Sequence, residues 1–467
     1  MGAILSSNGS GSSSGANNSF DKSPCNEPCK RQRVSANSFE GYPRLIPSLP
    51  DEISVEILAR VPRIHYLKMK QVSRSWKSVV LDSQLFSVRK QLGKTEEWLY
   101  ILTKVEDDKL LWYGLDPLNK IWQRLPSIPS AAYGDEAKKG YVGLRVWNMV
   151  GSGMKVADVV RSWLGRKGAP ERMPFCGCAV GAVDGCLYVL GGFSKGSAMR
   201  CVWKYDPMAN VWTEVSPMTT DRAYCKTSVL NNKLYVIGGV NGGRDGLMPL
   251  QSAEVFDPET GLWTKLPSMP FMKAQTIPTA FLADLLKPIA TGVTSYRGKL
   301  YVAQSLYCWP FVVDVGGEVY DPETNAWVEM PSGMGDGWPP RQAGRKLSVT
   351  IEGELYALDP SGSVDGPSTR IQVYDYHEDA WKVVLRDVPI CTHADSESHH
   401  LLTGLLGKLH VVTKDAGANI AVLQAGMQNC GEDSLGSELA PETDNWRVIA
   451  SRNAGSSELV NCVTLDV

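Results

Sequence analysis

The chain has 467 residues, 43% of them hydrophobic, with a formal net charge of −2 and eleven cysteines. Such length and apolar content suffice for one or two packed cores. The near-neutral balance gives no electrostatic drive toward nucleic acid or membranes, and no run of about 18 apolar residues offers a transmembrane helix. The cysteines form no even framework and no secretory signal opens the chain, so reduced thiols and a cytoplasmic or nuclear setting are expected.

Residues 1–40 are rich in Ser, Gly and Asn. They cannot bury enough apolar surface to offset chain entropy and are expected to be disordered. Met1-Gly2-Ala3-Ile4-Leu5-Ser6 fits the pattern for acylation of Gly2, with a chance match to so short a pattern as the alternative. A single acyl chain anchors only marginally, so membrane association is expected only if Gly2 is myristoylated, and then weakly. Lys30-Arg31-Gln32-Arg33 is too short to favour a nuclear signal over a solvated cluster. Cys25 and Cys29 have no second pair at ligand spacing, so no zinc site is expected there.

Residues 43–90 change character. Leu49-Pro50-Asp51-Glu52 reads as a helix start with acids in the first turn. Ile53, Ile57, Leu58 and Val61 follow at spacings of three and four, giving an apolar stripe that Pro62 ends. A second stretch carries Tyr66, Leu67, Met69, Val72, Trp76, Val79 and Val80, followed by Leu81, Leu85 and Phe86. Two or three short helices in about 45 residues make a small core, one that gains from a partner. In register, Leu49-Pro-Asp-Glu, Ile57-Leu-Ala-Arg-Val-Pro62 and Val72-Ser-Arg-Ser-Trp76 resemble an F-box, the motif that docks a Skp-family adaptor and through it a cullin. Ile64-His65-Tyr66-Leu67-Lys68 is less apolar than that family's pattern. The resemblance implies adaptor contacts at Leu49, Pro50, Ile53, Ile57, Leu58, Val61, Pro62, Leu67, Val72 and Trp76. A helical cap on the domain behind it is the other reading.

From residue 97 a repeat takes over. Asp116/Trp122, Asp206/Trp212, Asp257/Trp263, Asp321/Trp327, Asp375/Trp381 and, with the acid replaced, Ala440/Trp446 each place Trp six residues after the first position. The Trp-to-Trp spacings are 90, 51, 64, 54 and 65. Upstream lie apolar runs beginning at Trp98, Leu187, Leu234, Leu300, Leu355 and Leu409. Gly191-Gly192 and Gly238-Gly239 end two of them. Short strands at Cys178–Val183, Lys226–Leu230, Gly292–Tyr296 and Leu347–Ile351 precede four of the runs. Asp184-Gly185, Asn231-Asn232, Arg297-Gly298 and Glu352-Gly353 supply the hairpin turns between. The double glycine, the Leu-Tyr run and the Asp/Trp pair resemble kelch repeats, one four-stranded propeller blade each. The expected fold is therefore mainly β: a six-bladed kelch β-propeller over 97–467, preceded by a small α-helical F-box. The first repeat lacks a strand before Trp98, and residues 458–467 form an orphan strand expected to complete that blade and close the ring.

Five Asp spread around a ring, one per repeat except the last, do not converge on one point. Each is read as opening a turn by accepting backbone amides, and each Trp as packing between blades. His393, His399 and His400, with Asp395 and Glu397, match no metal spacing, and a polar loop explains them. Cys176 and Cys178 are read as buried thiols. No Gly-rich phosphate loop opens a helix, and no Tyr/His copper set of the kind found in kelch-fold oxidases is evident. No cofactor, metal or catalytic residue is expected.

Antiparallel blades place the 1–2 and 3–4 turns on one face, and the 2–3 loops and blade-to-blade links on the other. Length variation is assigned to the second face: loops 193–200, 240–251, 304–316, 359–370 and 413–436, and links 130–175, 267–290, 331–345 and 386–400. Long loops on a rigid scaffold are where recognition concentrates. The helical module enters on the short-turn face, opposite. The 130–175 insertion reads as a basic amphipathic segment, either a cap on the blades or a site for an acidic partner or membrane surface. Arg145, Arg244, Trp309, Trp338, Arg341 and Arg345 are the exposed candidates for binding a target. The resemblance implies a non-enzymatic substrate receptor of an SCF-type ubiquitin ligase that binds an adaptor and a target protein and no nucleic acid. The alternative is a kelch interaction scaffold not coupled to ubiquitination.

Overall fold

In the computed structural model the residues described are 44–105, 110–129, 177–194, 197–243, 246–272, 287–308, 311–338, 347–359, 369–389, 400–415, 417–426, 446–455 and 457–467. The helical module holds α1 (Asp51–Ala59), a 3-10 turn at Arg63–His65, α2 (Tyr66–Met69), α3 (Arg74–Leu81) and α4 (Ser83–Gln91). Blade 1 begins with β1 (Glu97–Lys104), β2 (Leu110–Asp116) and β3 (Ile121–Arg124). Blade 2 holds β4 (Ala179–Val183), β5 (Cys186–Leu190), a small hairpin β6 (Phe193–Ser194) and β7 (Ser197–Ala198), then β8 (Val202–Asp206) and β9 (Val211–Val215). Blade 3 repeats that plan: β10 (Lys226–Leu230), β11 (Lys233–Ile237), hairpin β12 (Val240–Gly243) and β13 (Gly246–Pro249), β14 (Ala253–Asp257) and β15 (Leu262–Lys265). Blade 4 is β16 (Lys287–Tyr296), β17 (Lys299–Cys308), β18 (Phe311–Asp321) and β19 (Ala326–Glu329), followed by α5 (Ser332–Gly337). Blade 5 is β20 (Ser348–Ile351), β21 (Glu354–Asp359), β22 (Arg370–Asp375) and β23 (Ala380–Leu385). Blade 6 is β24 (Leu401–Leu405), β25 (Lys408–Lys414), β26 (Asn419–Ala425) and β27 (Trp446–Asn453). The last strand, β28 (Glu458–Asp466), pairs antiparallel with β1 from Glu97↔Asp466 to Lys104↔Glu458 and completes blade 1.

Each first strand neighbours the next in a closed cycle, β28, β4, β10, β16, β20, β24 and back. Between successive blades lies one apolar core. Trp98, Tyr100 and Leu102 meet Leu187, Val189 and Tyr205 between blades 1 and 2, and Leu99 and Ile101 meet Leu401, Val412 and Ile420 between blades 1 and 6. The other four junctions are built alike.

Local chemistry fixes the blade register. Five 1–2 turns (184–185, 231–232, 297–298, 352–353 and 406–407) have both central φ between 47° and 84°, the type I′ geometry whose twist matches the hairpin. In every 3–4 turn described, the Asp accepts the amide two residues on: Leu118 to Asp116, Met208 to Asp206, Glu259 to Asp257, Glu323 to Asp321 and His377 to Asp375. Four of the repeat Trp reach back one blade. Trp212, Trp263, Trp327 and Trp381 donate Nε1–H to the carbonyls of Pro126, Ser216, Pro267 and Met334, at 2.8–3.1 Å. The double glycine is needed because the next link crosses there. A Cβ on Gly191 would lie 2.2 Å from the Arg222 carbonyl oxygen, and one on Gly239 2.5 Å from that of Ala223.

The structure revises the expected loops. Residues 193–200 and 240–251 include the hairpins β6–β7 and β12–β13, and β17 and β18 run on together past the blade to Cys308↔Phe311. The larger correction concerns 413–436. Ile420-Ala421-Val422-Leu423 is strand 3 of blade 6, returned from β25 by a tight turn in which Asp415 accepts the amides of Gly417 and Asn419. The long segment after Gln424 and Ala425 therefore joins strands 3 and 4, so it departs from the short-turn face. Its run of polar and acidic residues had hidden the short apolar strand before it. His400 is buried, with Nδ1 2.9 Å from Thr413 Oγ1; His393 and His399 lie outside the described residues, as do Gly2, Cys25, Cys29, Cys176 and the 130–175 insertion.

Candidate docking surface and target face

The helical module is built around an inward charge. Leu58, Ala59, Tyr66, Met69, Val80 and Leu85 form its core, and Arg89, 1% exposed, runs through it. Arg89 Nη1 donates to the carbonyls of Ala59 and Val61 and to Tyr66 Oη; Nη2 reaches Glu96 Oε1 at 2.8 Å. Burial pushes the Tyr66 phenol up against the pull of Arg89, so it remains a neutral partner. Ser73 caps α3 by accepting the Trp76 amide, and Asp82 caps α4 by accepting that of Gln84, as short polar side chains at these positions do. Trp76 Nε1 donates to the Leu45 carbonyl, fastening the lead-in segment.

The module sits on the short turns of blades 1 and 2. Arg63 is 4% exposed and stacks 4.3 Å from the Trp98 ring. Its amide donates to Glu96, and its guanidinium to Gln123 Oε1 and the Pro207 carbonyl. Lys70 Nζ donates to the Ala209 carbonyl at 2.8 Å; burial pulls this ammonium down, with Asp206 opposing. Met208, two residues after the blade 2 Asp, belongs to the module's own core, and the Phe86 ring packs over Gly185. The two parts share buried polar and apolar contacts, so they form a single body at this junction.

Away from the propeller, the module exposes large apolar side chains. Ile53 is 49% exposed, Ile57 41%, Leu67 43%, Val72 61% and Leu81 44%. Ile53 and Ile57 are one turn apart on α1 and share a face. Pro50 and Pro62 are exposed, and Leu49, Val61 and Trp76 are half-buried. Leu58 corrects the expected surface: it is 1% exposed and points into the core, because its place beside Ala59 puts it on the inner face of α1.

Of the residues expected on the target face, Trp338 is also corrected. It is 6% exposed and packs edge-to-face on Trp381, at 5.8 Å, between blades 4 and 5. Arg145, Arg244, Trp309, Arg341 and Arg345 lie outside the described residues. Leu81, one of the apolar residues of the second stretch, joins the exposed set, while Arg63, Lys70, Arg89, Glu96 and Met208 build the junction without having stood out in the sequence. Two signals were present. Arg89 falls on the Leu85/Leu92 stripe, where a charge must find buried partners, and Met208 puts an apolar residue where the turn of blade 5 has His377.

A small helical module packed on the short-turn face of a closed six-bladed propeller defines the class of protein. Residues 46–87 match the F-box domain, and residues 174–219 and 221–270 each match the Kelch motif. F-box/kelch-repeat protein At1g22040 of Arabidopsis thaliana is 56% identical over 456 residues, covering 94% of this chain and 95% of the relative. From the same organism, F-box/kelch-repeat protein At1g30090 is 27% identical over 305 residues (64% and 62%), and F-box protein AFR is 24% identical over 319 residues (68% and 69%). The chain belongs to the F-box/kelch-repeat family.

Proposed function

We propose that this chain is the substrate-recognition subunit of an SCF-type ubiquitin ligase. Its F-box docks a Skp-family adaptor, and through it a cullin, while the propeller holds a target protein with its 2–3 loops and blade links. The chain supplies no catalytic group. It raises the rate of ubiquitin transfer by holding the target near the transferring enzyme, an effective-concentration effect. The observation that carries this reading is the set of exposed apolar residues on a module otherwise locked to the propeller. A large apolar surface left uncovered by its own fold marks an interaction site. The junction through Arg63, Lys70, Arg89 and Met208 gives the adaptor a fixed orientation relative to the face that would take the target.

The test is capture of a Skp-family adaptor by the full chain and by an Ile53→Asp/Ile57→Asp variant. Both side chains face outward, so the variant should melt within about 0.5 kcal/mol of the parent yet lose adaptor binding. A parent chain that binds no adaptor overturns the proposal and leaves the interaction scaffold in its place.

A further inference from the structure

Glu96, between α4 and β1, stands where the F-box meets both strands that close the ring. Its Oε1 accepts the Arg63 amide of the 3-10 turn at 3.0 Å and Arg89 Nη2 of α4 at 2.8 Å. Its Oε2 accepts Trp98 Nε1 of β1 at 3.2 Å. Its backbone pairs in both directions with Val467, which follows β28, at 2.9 Å each way. Arg89 Nη2 also reaches the Val467 carbonyl, at 3.4 Å and across 378 positions of the chain. Val467 itself is buried in the core between blades 1 and 2.

The other side of the Arg89 guanidinium holds the module. Nη1 donates to the carbonyls of Ala59 and Val61, at the end of α1, and to the Tyr66 hydroxyl of α2. A short chain of buried contacts thus runs from the closing strand, through Glu96 and Arg89, to the helix that carries Ile53 and Ile57. The elements at its two ends are incomplete alone. β28 is joined to β1 by no turn of its own blade, and their pairing carries a register shift at Leu102/Thr103. The core of the module is finished by Met208 of blade 2.

We propose that ring closure and adaptor docking are coupled through Glu96 and Arg89: a seated β28 holds the module in its docking form, and a bound adaptor holds β28 seated. This rests on the receptor reading above and adds a regulation to it. The two-state element is β28, either paired with β1 or released, and both ends of the contact chain bias that equilibrium. Release takes the Val467 backbone away from Glu96, and with it the fixed position of the carboxylate that orients Arg89. Coupling between two sites is reciprocal, so it can be read from either end. A receptor whose ring is open, and which cannot present a target, then also recruits its ligase poorly.

The experiment uses the full chain and a recombinant Skp-family adaptor. Leu459→Asp unseats β28 at the end remote from the module, because Leu459 pairs with Thr103 and is buried between blades 1 and 6. The adaptor Kd should rise about 10-fold, within the usual span of coupling between two sites. Amide hydrogen exchange gives the reverse reading and does not depend on that variant folding. When adaptor is added to the parent, the β28 amides should exchange about 10-fold more slowly, while those of β17, in the blade opposite, should not change. Glu96→Gln keeps an acceptor oxygen but removes the charge that holds Arg89. Its chain should still bind adaptor, without the slowing at β28. An adaptor that binds the parent and leaves exchange at β28 unchanged, or slows it equally in β17, overturns the coupling and leaves the receptor reading intact. Slowing that survives Glu96→Gln overturns it as well, as does an unchanged Kd for a Leu459→Asp chain whose β28 amides exchange freely. No binding by the parent overturns both readings.

Discussion

The F-box and the propeller treat large apolar side chains in opposite ways. In the module, five of them stand exposed between Ile53 and Leu81. In the blades the exposed ones, such as Leu118, Leu262 and Val448, come from different blades, as isolated surface apolar residues commonly do, and every blade face is covered by the next blade. A ring with six mutual interfaces completes itself, whereas a module of four short helices cannot. It borrows Met208 from blade 2 on one side and leaves the other side open. The ring leaves no blade face uncovered, whereas the module leaves apolar side chains in solvent, and the proposed docking rests on that difference.

Removing residues 458–467 should have the largest effect on this contrast. The truncation takes away the first strand of blade 1 with Leu459, Cys462 and Leu465 from the inter-blade cores, and uncovers the edge of β1. Loss of the parent's cooperative thermal transition is expected. A truncated chain that melts where the parent does would mean the ring does not need closure.

Next in size are the two buried Arg–Glu pairs, one in each region. Arg222 and Glu254 are 0% exposed and meet at 2.9 Å, with Arg222 also donating to the carbonyls of Gly238 and Ser252. Arg222→Ala should cost about 3–5 kcal/mol, since a buried carboxylate remains without its counter-charge, held only by the Thr219 and Thr220 amides. Burial alone would raise the Glu254 carboxyl, but the Thr219 hydrogen bonds and the Arg222 charge hold it below its ordinary value of 4.5. The pair's contribution is thus complete above that value and lost as pH falls through the lower folded one. Without Arg222 the sign reverses, and the variant should lose stability as pH rises above the ordinary carboxylate range. Urea melts from pH 3 to 8 distinguish the two slopes. Arg89→Ala, by contrast, should act on the junction. The propeller transition should persist while the helices melt separately at lower temperature, visible as two far-UV phases in place of one.

Much of the propeller was legible because its signals are local and repeated. Asp, Pro and Trp at fixed offsets, and Gly where φ must be positive, show the same chemistry several times over. What escaped notice was long-range or concealed by composition. Ile420–Leu423 is a short apolar run inside a long polar stretch, so strand 3 of blade 6 was lost among loop residues and the long segment was given to the wrong face. Trp338 looked like an exposed anchor beside Gly and Pro, yet Gly337 lets it fold back against Trp381, where a Cβ would approach 2.3 Å. Leu58 and Ile57 are adjacent in one apolar stripe, and only packing against Tyr66 and Leu85 decides which of them faces inward. The junction was illegible for the same reason: Arg63 finds Pro207 across 144 positions.

The smallest effect tests whether the blades share one rule in detail. The residue four after each Asp lies in the left-handed region, at Lys120, Asn210, Gly261, Asn325 and Asp379. Where the residue before the Asp is Tyr, its hydroxyl donates to that position's side chain: Tyr205 to Asn210 at 2.7 Å, Tyr320 to Asn325 at 2.7 Å and Tyr374 to Asp379 at 2.6 Å. Where it is Phe256, the position is Gly261 and no acceptor is needed. Tyr320→Phe should therefore cost about 0.5–1.5 kcal/mol, the net worth of one hydrogen bond plus an acceptor left without its donor. Adding Asn325→Gly reproduces the blade 3 pair and relieves the positive φ at no steric cost. The double variant should recover most of the loss, although Asn325→Gly alone is destabilising because it strands the Tyr320 hydroxyl. Independent, additive effects in this cycle would mean that the two positions are not coupled, and that the Tyr/Asn and Phe/Gly pairs match by coincidence.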